Sequence, residues 1–194
     1  MHALVVFESM FGNTQLIAKA IAEGMSPAVS VDLVEVGAAP TRIGDDVDLL
    51  VVGGPTHAFG LSRPKTRDSA ADQAEGDLVS KGNGLREWLA GLERGPASVR
   101  VATFDTRINK PRVPGSAARG AEKRLRRLGF VIVVPAESFY VDGTTGPLIN
   151  GEIERARGWG ELLSLEATGS GSSGSGSPSS LRASLKGVEE GRSS

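Results

Sequence analysis

The residues best suited to chemistry lie in a short polar loop near the start of the chain. The loop offers two hydroxyls, a side-chain amide and a glycine, in Ser9, Thr14, Asn13 and Gly12. An apolar run rich in branched side chains ends at Phe7, just before it, and helical spacing of apolar residues begins just after it. The first amides of a helix have no intrahelical acceptors and lie at the positive end of its macrodipole. The sequence therefore predicts a strand, an anion-binding loop and a helix.

This loop differs from two better-known phosphate loops. It lacks the Gly-Lys-Ser/Thr ending of a nucleoside-triphosphatase loop, so no lysine lies where it would reach a β- or γ-phosphate. It also lacks the three glycines over which a pyrophosphate lies in a dinucleotide-binding turn. What remains suits one terminal phosphate, held by hydroxyls and backbone amides.

The pattern resembles the flavodoxin signature, in which an apolar pair and an aromatic residue precede Ser or Thr, then a small residue, then Thr. The matching positions are Val5, Val6, Phe7, Ser9, Gly12 and Thr14, followed by Ala18 and Ile21. The resemblance covers about residues 3–165 and implies an FMN cofactor bound by Ser9, Met10, Phe11, Gly12, Asn13 and Thr14. FMN is implied rather than FAD because the chain offers one terminal-phosphate cradle and no second nucleotide site. The alternative is an ordinary strand–turn–helix whose turn is merely polar.

A second loop, from Gly53 to Gly60, resembles the flavin loop of flavodoxin-like quinone reductases. In those proteins a Pro-Thr pair and a later Phe-Gly border the isoalloxazine ring. The resemblance implies cofactor contacts from Pro55, Thr56, His57, Phe59 and Gly60, with Phe59 stacked on the ring face. A capping or solvent-exposed histidine is an equally good interpretation of His57.

A third loop begins where the fourth predicted strand ends. It reads Phe104, Asp105, Thr106 and Arg107, which departs from the common Gly-rich version of this loop in the resembling family. We expect Phe104, Asp105 and Thr106 to contact the cofactor, with Asp105 and Thr106 at the pyrimidine edge of the flavin.

The rest of the chain alternates strand and helix patterns. Apolar runs predict further strands at residues 29–36, 47–52, 99–104 and 130–134. Helical spacing predicts apolar faces formed by Leu16, Ile17, Ala20 and Ile21; by Leu85, Trp88, Leu89 and Leu92; by Ala117, Ala121, Leu125 and Leu128; and by Ile153, Ala156, Trp159 and Leu163. This alternation predicts a three-layer, doubly wound α/β domain with a five-stranded parallel sheet. The flavodoxin-like order 2-1-3-4-5 places ligands at the carboxyl edge of strands one, three and four.

Composition narrows the chemistry. The 194 residues contain no cysteine, which excludes disulfides, thiolate metal sites and thiol catalysis. The only histidines are His2 and His57, too few for a plausible zinc site, and no nucleophile or acid–base pair is visible. No signal peptide or membrane span is evident, so we expect a cytoplasmic protein. The net charge of −1 is far from the strongly acidic balance of single-electron flavodoxins.

A polar segment from Gly60 to Gly84 separates the second loop from the next helix. Structureless segments beyond ~12–15 residues in a compact domain are usually lids or binding loops, and we expect a lid here. Cations occur at its start and in the 104–115 loop: Arg63, Lys65, Arg67, Arg107, Lys110 and Arg112. Their convergence at one pocket mouth would favour an anionic partner or substrate, such as a pyridine nucleotide phosphate, a carboxylate or a quinone head. The alternative is solvated loop charge without a ligand.

The predicted fourth helix carries a further basic group on its outer face: Arg119, Lys123, Arg124, Arg126 and Arg127. A solvated basic helix face is the simplest interpretation of these charges. No aromatic residues are interleaved with them, so nucleic-acid binding is not supported.

The composition changes abruptly near Thr168. The domain prediction is therefore a globular unit at residues 1–167 and a Gly/Ser-rich linker with a disordered tail at residues 168–194. The segment 180–187 faintly resembles the cargo-loading peptides of encapsulin shells, in which Ser-Leu-Lys or Ser-Leu-Arg follows an earlier leucine. Leu181 and Leu185 are one residue too close for that pattern.

Three functions stay open at this point. An FMN-binding electron carrier would pass electrons between redox partner proteins. An FMN-dependent oxidoreductase would act on NAD(P)H and a quinone, a porphyrinogen or another small anionic substrate. A flavin-free binding module on the same fold would not depend on the hydroxyls of Ser9 and Thr14.

Overall fold

The structure, a computed structural model, describes residues 1–57, 60–74, 76–96, 98–110 and 114–168. Phe59, Arg112 and the predicted tail beyond residue 168 lie outside the described residues. The strands are β1 (His2–Phe7), β2 (Ser30–Glu35), β3 (Leu49–Pro55), β4 (Arg100–Ile108), β5 (Val131–Ile132) and β6 (Glu137–Val141). The helices are α1 (Asn13–Met25), α2 (Pro64–Asp72), α3 (Leu85–Gly91), α4 (Ala117–Arg127) and α5 (Glu152–Thr168). None of the helices in the described part of the chain has the length and apolar content to cross a membrane.

The strands form one parallel sheet in the order β2-β1-β3-β4-β5, which confirms the predicted order. In the register of its centre, Val5 of β1 lies opposite Leu33 of β2 and Val51 of β3. The strand predicted at residues 130–134 is confirmed only at Val131–Ile132, which form β5. A further strand, β6, pairs with β4 beyond it, so the sheet has six strands where five were predicted. Pro135 has no N–H to donate to a ladder and lies in the gap between β5 and β6.

Each face of the sheet is covered by its own helices. Leu4, Val6, Leu50 and Val52 pack in one cluster with residues of α3 and α4. Val5 and the other odd-numbered positions of the same strands pack in a second cluster with α1 and α5. Because side chains alternate between faces along a strand, the central strands are apolar at nearly every position.

Helix α1 packs closely against α5 through two glycines. A Cβ placed on Gly24 would lie 2.1 Å from the carbonyl oxygen of Arg157, and one on Gly160 would lie 2.2 Å from that of Ile21. Because of this close approach, the face of α1 that carries Ile17, Ile21 and Gly24 is the buried one. The prediction that Leu16 faces the core is therefore wrong, since its side chain is 48% exposed.

The predicted structureless segment from Gly60 to Gly84 contains helix α2, so that part of the prediction is wrong. Leu61 is 5% exposed and packs in the core cluster below α3 and α4. The guanidinium of Arg67 lies 3.0 Å from the Glu87 carboxylate, with side-chain exposures of 10% and 28%. A polar sequence can fold over the domain here because a partly buried ion pair, rather than an apolar stripe, fastens α2 to α3.

Candidate functional site

A pocket of about 280 Å³ lies at the carboxyl edge of the sheet, where ligands bind in open parallel α/β folds. The first loop and the start of α1 line it with Ser9, Met10, Phe11, Asn13 and Thr14. The loop after β3 contributes Pro55, Thr56 and His57, and the end of β4 contributes Thr106, Arg107 and Ile108. The structure thus brings together nine of the predicted cofactor-binding residues: Ser9, Met10, Phe11, Asn13, Thr14, Pro55, Thr56, His57 and Thr106.

The first loop presents hydroxyls and the amino end of α1 to this pocket. Gly12 caps the helix with φ of 87°, a left-handed conformation that favours glycine. The Ser9 hydroxyl accepts a hydrogen bond of 3.3 Å from the backbone N–H of Gln15, in the first turn of α1. Ser9 and Thr14 are 0% and 1% exposed, so both hydroxyls are held inside the site.

The segment that precedes α3 fixes the first loop from outside. The backbone N–H groups of Val79 and Ser80 donate to the carbonyls of Met10 and Ser9, at 3.1 and 2.8 Å. The Ser80 hydroxyl accepts from the backbone N–H of Ser9 at 3.0 Å and donates to Glu35 Oε1 at 2.5 Å. These bonds hold the loop in place with partners that do not line the pocket.

The Asn13 side chain, which lines the pocket, also makes a hydrogen bond to a distant turn. Its Nδ2 donates 2.9 Å to the carbonyl of Thr145, in the turn after β6. Gly146 makes room for this contact, because a Cβ there would lie 2.6 Å from Nδ2. Asn13 therefore ties the start of α1 to the turn that also brings Thr144 to the pocket.

Asp105 acts behind the pocket rather than in its lining. Its Oδ2 accepts hydrogen bonds from the hydroxyls of Thr56 and Ser116, at 3.0 and 2.6 Å, and from the backbone N–H of Ala118 at 3.0 Å. The Thr56 hydroxyl in turn accepts from the backbone N–H of Ala117 at 2.9 Å. Asp105 thus fastens the loop after β3 to the amino end of α4, and its own carboxylate is fully buried.

Phe104 lies in the core, so its expected place at the cofactor is corrected. Its ring packs edge-on against Phe139 and Trp159, with centroids 6.2 and 6.3 Å away. Gly53 of the neighbouring strand makes this possible, because a Cβ there would lie 2.1 Å from the ring. Strand β4 continues to Ile108, beyond the predicted end at residue 104, which leaves Phe104 inside the sheet.

His57 and Gly60 close the second loop with a pair of main-chain hydrogen bonds, at 2.8 and 2.9 Å. Burial lowers the pKa of His57 below its ordinary value of 6.5, and the nearby charge of Arg67 lowers it further. A hydrogen bond with the backbone of Thr66 acts in the opposite direction but does not outweigh burial. The neutral imidazole is therefore favoured in the pocket wall.

Helix α2, together with the residue that caps its carboxyl end, supplies a pocket wall that was not predicted. Thr66, Ser69, Ala70 and Gln73 all line the pocket. Their spacing of three, four and seven residues is that of one helical face, and this periodicity was the available signal. Three of these four residues are polar, so this helical face lacks the apolar stripe that predicted the other helices.

Of the six cations expected to converge at the pocket mouth, the structure places one in the described lining. Arg107 lines the pocket, and Arg67 is instead paired with Glu87. Arg63, Lys65 and Lys110 are exposed and do not belong to the lining, and Arg112 lies outside the described residues. Among the described residues that line the pocket there is no carboxylate. The site is therefore neutral to basic and rich in hydroxyls.

Glu8 is a second feature that the sequence analysis missed. Its side chain is 1% exposed, and Oε2 accepts a 2.8 Å hydrogen bond from the backbone N–H of Leu85. Burial raises the pKa of Glu8 above 4.5, although a hydrogen bond with Ser62 and the charge of Arg67 oppose the change. Glu8 thus links the first loop directly to the start of α3.

No family model and no curated protein matches the sequence. Solved structures do match the fold. Flavodoxin 1 from Bacillus cereus is 16% identical with a TM-score of 0.61, over 89% of this chain and 100% of that one. A flavodoxin from Streptococcus pneumoniae TIGR4 is 18% identical with a TM-score of 0.61, over 86% and 99%. An archaeal flavodoxin is 17% identical with a TM-score of 0.57, over 86% and 99%. With its strand order and its helices on both faces, the chain has the flavodoxin-like fold.

Proposed function

We propose that the pocket binds FMN and that the protein transfers electrons through the bound flavin. One observation carries the proposal: a pocket at the carboxyl edge of β1, β3 and β4 combines the amino end of α1 with buried hydroxyls and no described carboxylate. That combination favours a dianionic phosphate followed by a polyol. The likeness to solved flavodoxins supports the same ligand.

The donor set fits the parts of FMN. The hydroxyls of Ser9 and Thr14 and the first amides of α1 would hold the phosphate. Thr56, Thr106 and the polar wall of α2 would face the ribityl hydroxyls, and Pro55, Ile108 and Val141 offer apolar surface to the ring. A volume of about 280 Å³ is close to the lower end of the ~300–1,000 Å³ typical of ligand pockets.

The flavin, when bound, supplies one- and two-electron redox chemistry, and the protein supplies binding, orientation and electrostatics. Asp105 holds Thr56 in position through its hydrogen bond of 3.0 Å. His57 contributes a neutral ring to the wall, since burial lowers its pKa. Arg107 lies in the pocket lining, where its positive charge would stabilise negative charge that develops on a bound ligand.

Arg107 also favours a second candidate, an FMN-dependent oxidoreductase. A guanidinium in a pocket without described carboxylates attracts an anionic substrate, such as the phosphate of a pyridine nucleotide or a quinone head group. The carrier would need no such substrate, because its electrons come from a protein partner.

Titration calorimetry of the purified apoprotein with FMN and with riboflavin tests the proposal. We expect both to bind and FMN to bind more tightly, because the phosphate adds charge-assisted hydrogen bonds. Equal affinities for FMN and riboflavin would contradict a phosphate-binding site. Failure of both ligands to bind would contradict flavin binding altogether.

A further inference from the structure

The strongest feature outside the pocket is a groove between α4 and the outermost part of the sheet. It has a volume of about 860 Å³. One wall is a row of side chains from α4: Arg119, Lys123, Arg126 and Arg127, with Glu122. The floor is the backbone stretch 132–136, which joins β5 to β6.

The wall is strongly cationic because α4 buries only its alanines and Leu125. Glu122 forms an i,i+4 ion pair of 2.9 Å with Arg126, so its charge is already neutralised. Arg119, Lys123 and Arg127 are exposed and form no ion pair with any residue that the structure describes. A chain of net charge −1 thus concentrates positive charge along one groove.

The floor is apolar and lies at the free edge of the sheet. Ile132, Val133 and Val134 are half-buried, and the neighbouring Val131 is 49% exposed. Within the described residues, β5 pairs only with β4, on its inner side. The groove therefore offers both apolar contact and cationic partners to whatever lies along it.

We propose that this groove binds an acidic, extended segment of a partner protein. From Arg119 to Arg127 the helix rises by about 12 Å, which matches three to four residues of an extended chain at roughly 3.3 Å each. A small anion would reach only part of this row of cations. A single-stranded nucleic acid would need aromatic platforms for its bases, and none of the groove residues is aromatic.

The groove is connected to the pocket through α4 itself. The amino end of this helix donates from Ala117 to the hydroxyl of Thr56, which lines the pocket. A partner docked along α4 would therefore bind the element that holds the second loop in place. The docking proposal does not depend on FMN, because every residue that lines the groove lies outside the pocket.

The test measures binding of a fluorescein-labelled octapeptide of alternating Glu and Val by fluorescence anisotropy at low ionic strength. The double variant Lys123→Glu/Arg127→Glu reverses two charges of the groove. The matched control, Lys19→Glu/Arg94→Glu, makes the same change in net charge at two exposed cations outside it. We expect saturable binding that weakens about tenfold or more in the groove variant and less than about twofold in the control.

Three results would overturn the proposal: no saturable binding, equal loss in the two double variants, or displacement by tripolyphosphate at the same concentration as the unlabelled peptide. The last would mean that the groove selects small anions. Circular dichroism verifies that both variants are folded. If the charge reversal unfolds the protein, Lys123→Gln/Arg127→Gln replaces it, with the same expected direction and the same contradicting results.

Discussion

The hydroxyls of Thr14 and Thr106 lie 2.7 Å apart and share a buried hydrogen bond across 92 residues of sequence. The bond joins the first turn of α1 to the carboxyl end of β4, so two walls of the pocket are fixed to each other. When Thr106 donates, the Thr14 hydroxyl keeps its own hydrogen for a ligand. The first loop is therefore held in place before any ligand arrives.

Replacing Thr14 with Val keeps the side-chain shape and removes the hydroxyl. We expect FMN to bind roughly ten- to a hundredfold more weakly, because a hydrogen bond to a charged group contributes about 1.5–3 kcal/mol. Riboflavin, which has no phosphate, should lose little affinity. Calorimetric titration of the variant with both ligands measures the difference.

Thr106→Val is the matched control, since it removes the other hydroxyl of the same hydrogen bond. It should weaken FMN and riboflavin by similar factors, because Thr106 is not expected at the phosphate. An equal loss for both ligands in Thr14→Val would contradict the phosphate cradle.

The Arg67–Glu87 ion pair is expected to stabilise the fold through α2. Arg67→Met should lower the free energy of unfolding by about 3 kcal/mol, near the lower end for buried pairs because Glu87 retains some solvent contact. Lys81→Met breaks the exposed pair with Asp77 and should cost less than about 1 kcal/mol. Urea unfolding of the two variants compares them, and similar losses would mean that Arg67 does not anchor α2.

Two glycines of α5 should respond in opposite directions to the same substitution. Gly160→Ala would place a Cβ 2.2 Å from the carbonyl oxygen of Ile21 and should destabilise the protein by about 1–3 kcal/mol. Nothing lies within 4 Å of a Cβ at Gly158, so Gly158→Ala should stabilise the helix by roughly 0.5–1 kcal/mol. Thermal unfolding measures both, and a stabilising Gly160→Ala would show that α1 and α5 pack less closely.

Glu8 should make stability fall as the pH rises above 4.5. Its pKa is raised in the folded protein by burial, so the unfolded chain loses the proton first and folding retains it. The decline in stability that Glu8 causes stops once the pH exceeds the raised pKa of Glu8 in the folded protein. The charged groups that face Glu8 are Arg67 of α2 and Glu87 of α3.

Glu8→Gln removes the titration and keeps an acceptor for the N–H of Leu85. The stability of the wild type relative to this variant should therefore decline with increasing pH above 4.5. Denaturant titrations at several pH values provide the comparison. Parallel stability curves for the two proteins would mean that burial does not perturb this carboxyl.

The sheet was predictable because its strands carry their own signal. Four of the predicted strands overlap β1 to β4, and their order follows from right-handed crossovers. The residues at which the strands end were less predictable. Strand β4 continues through Asp105 because its carboxylate accepts hydrogen bonds from Thr56, which is distant in sequence, and from Ser116 and Ala118 at the amino end of α4.

The missed parts depend on contacts that no local pattern contains. Helix α2 is fastened by Arg67 and Glu87, which lie twenty residues apart in the sequence. Leu16 is exposed because the glycine contacts between α1 and α5 decide which face of α1 is buried. Glu8 is buried because Leu85 and Ser62 lie above it in the folded chain. In each case tertiary packing outweighs the local sequence preference.

The most direct test is a visible absorption spectrum of the purified protein with added FMN, followed by anaerobic titration with NADPH. We predict a shifted flavin spectrum, from flavin that stays with the protein through gel filtration. FMN that is unaffected by NADPH but is reduced in separate steps by a chemical reductant would favour the electron carrier. Rapid bleaching by NADPH would favour the oxidoreductase. A protein that elutes without flavin after incubation with excess FMN would contradict the proposal that the pocket binds FMN.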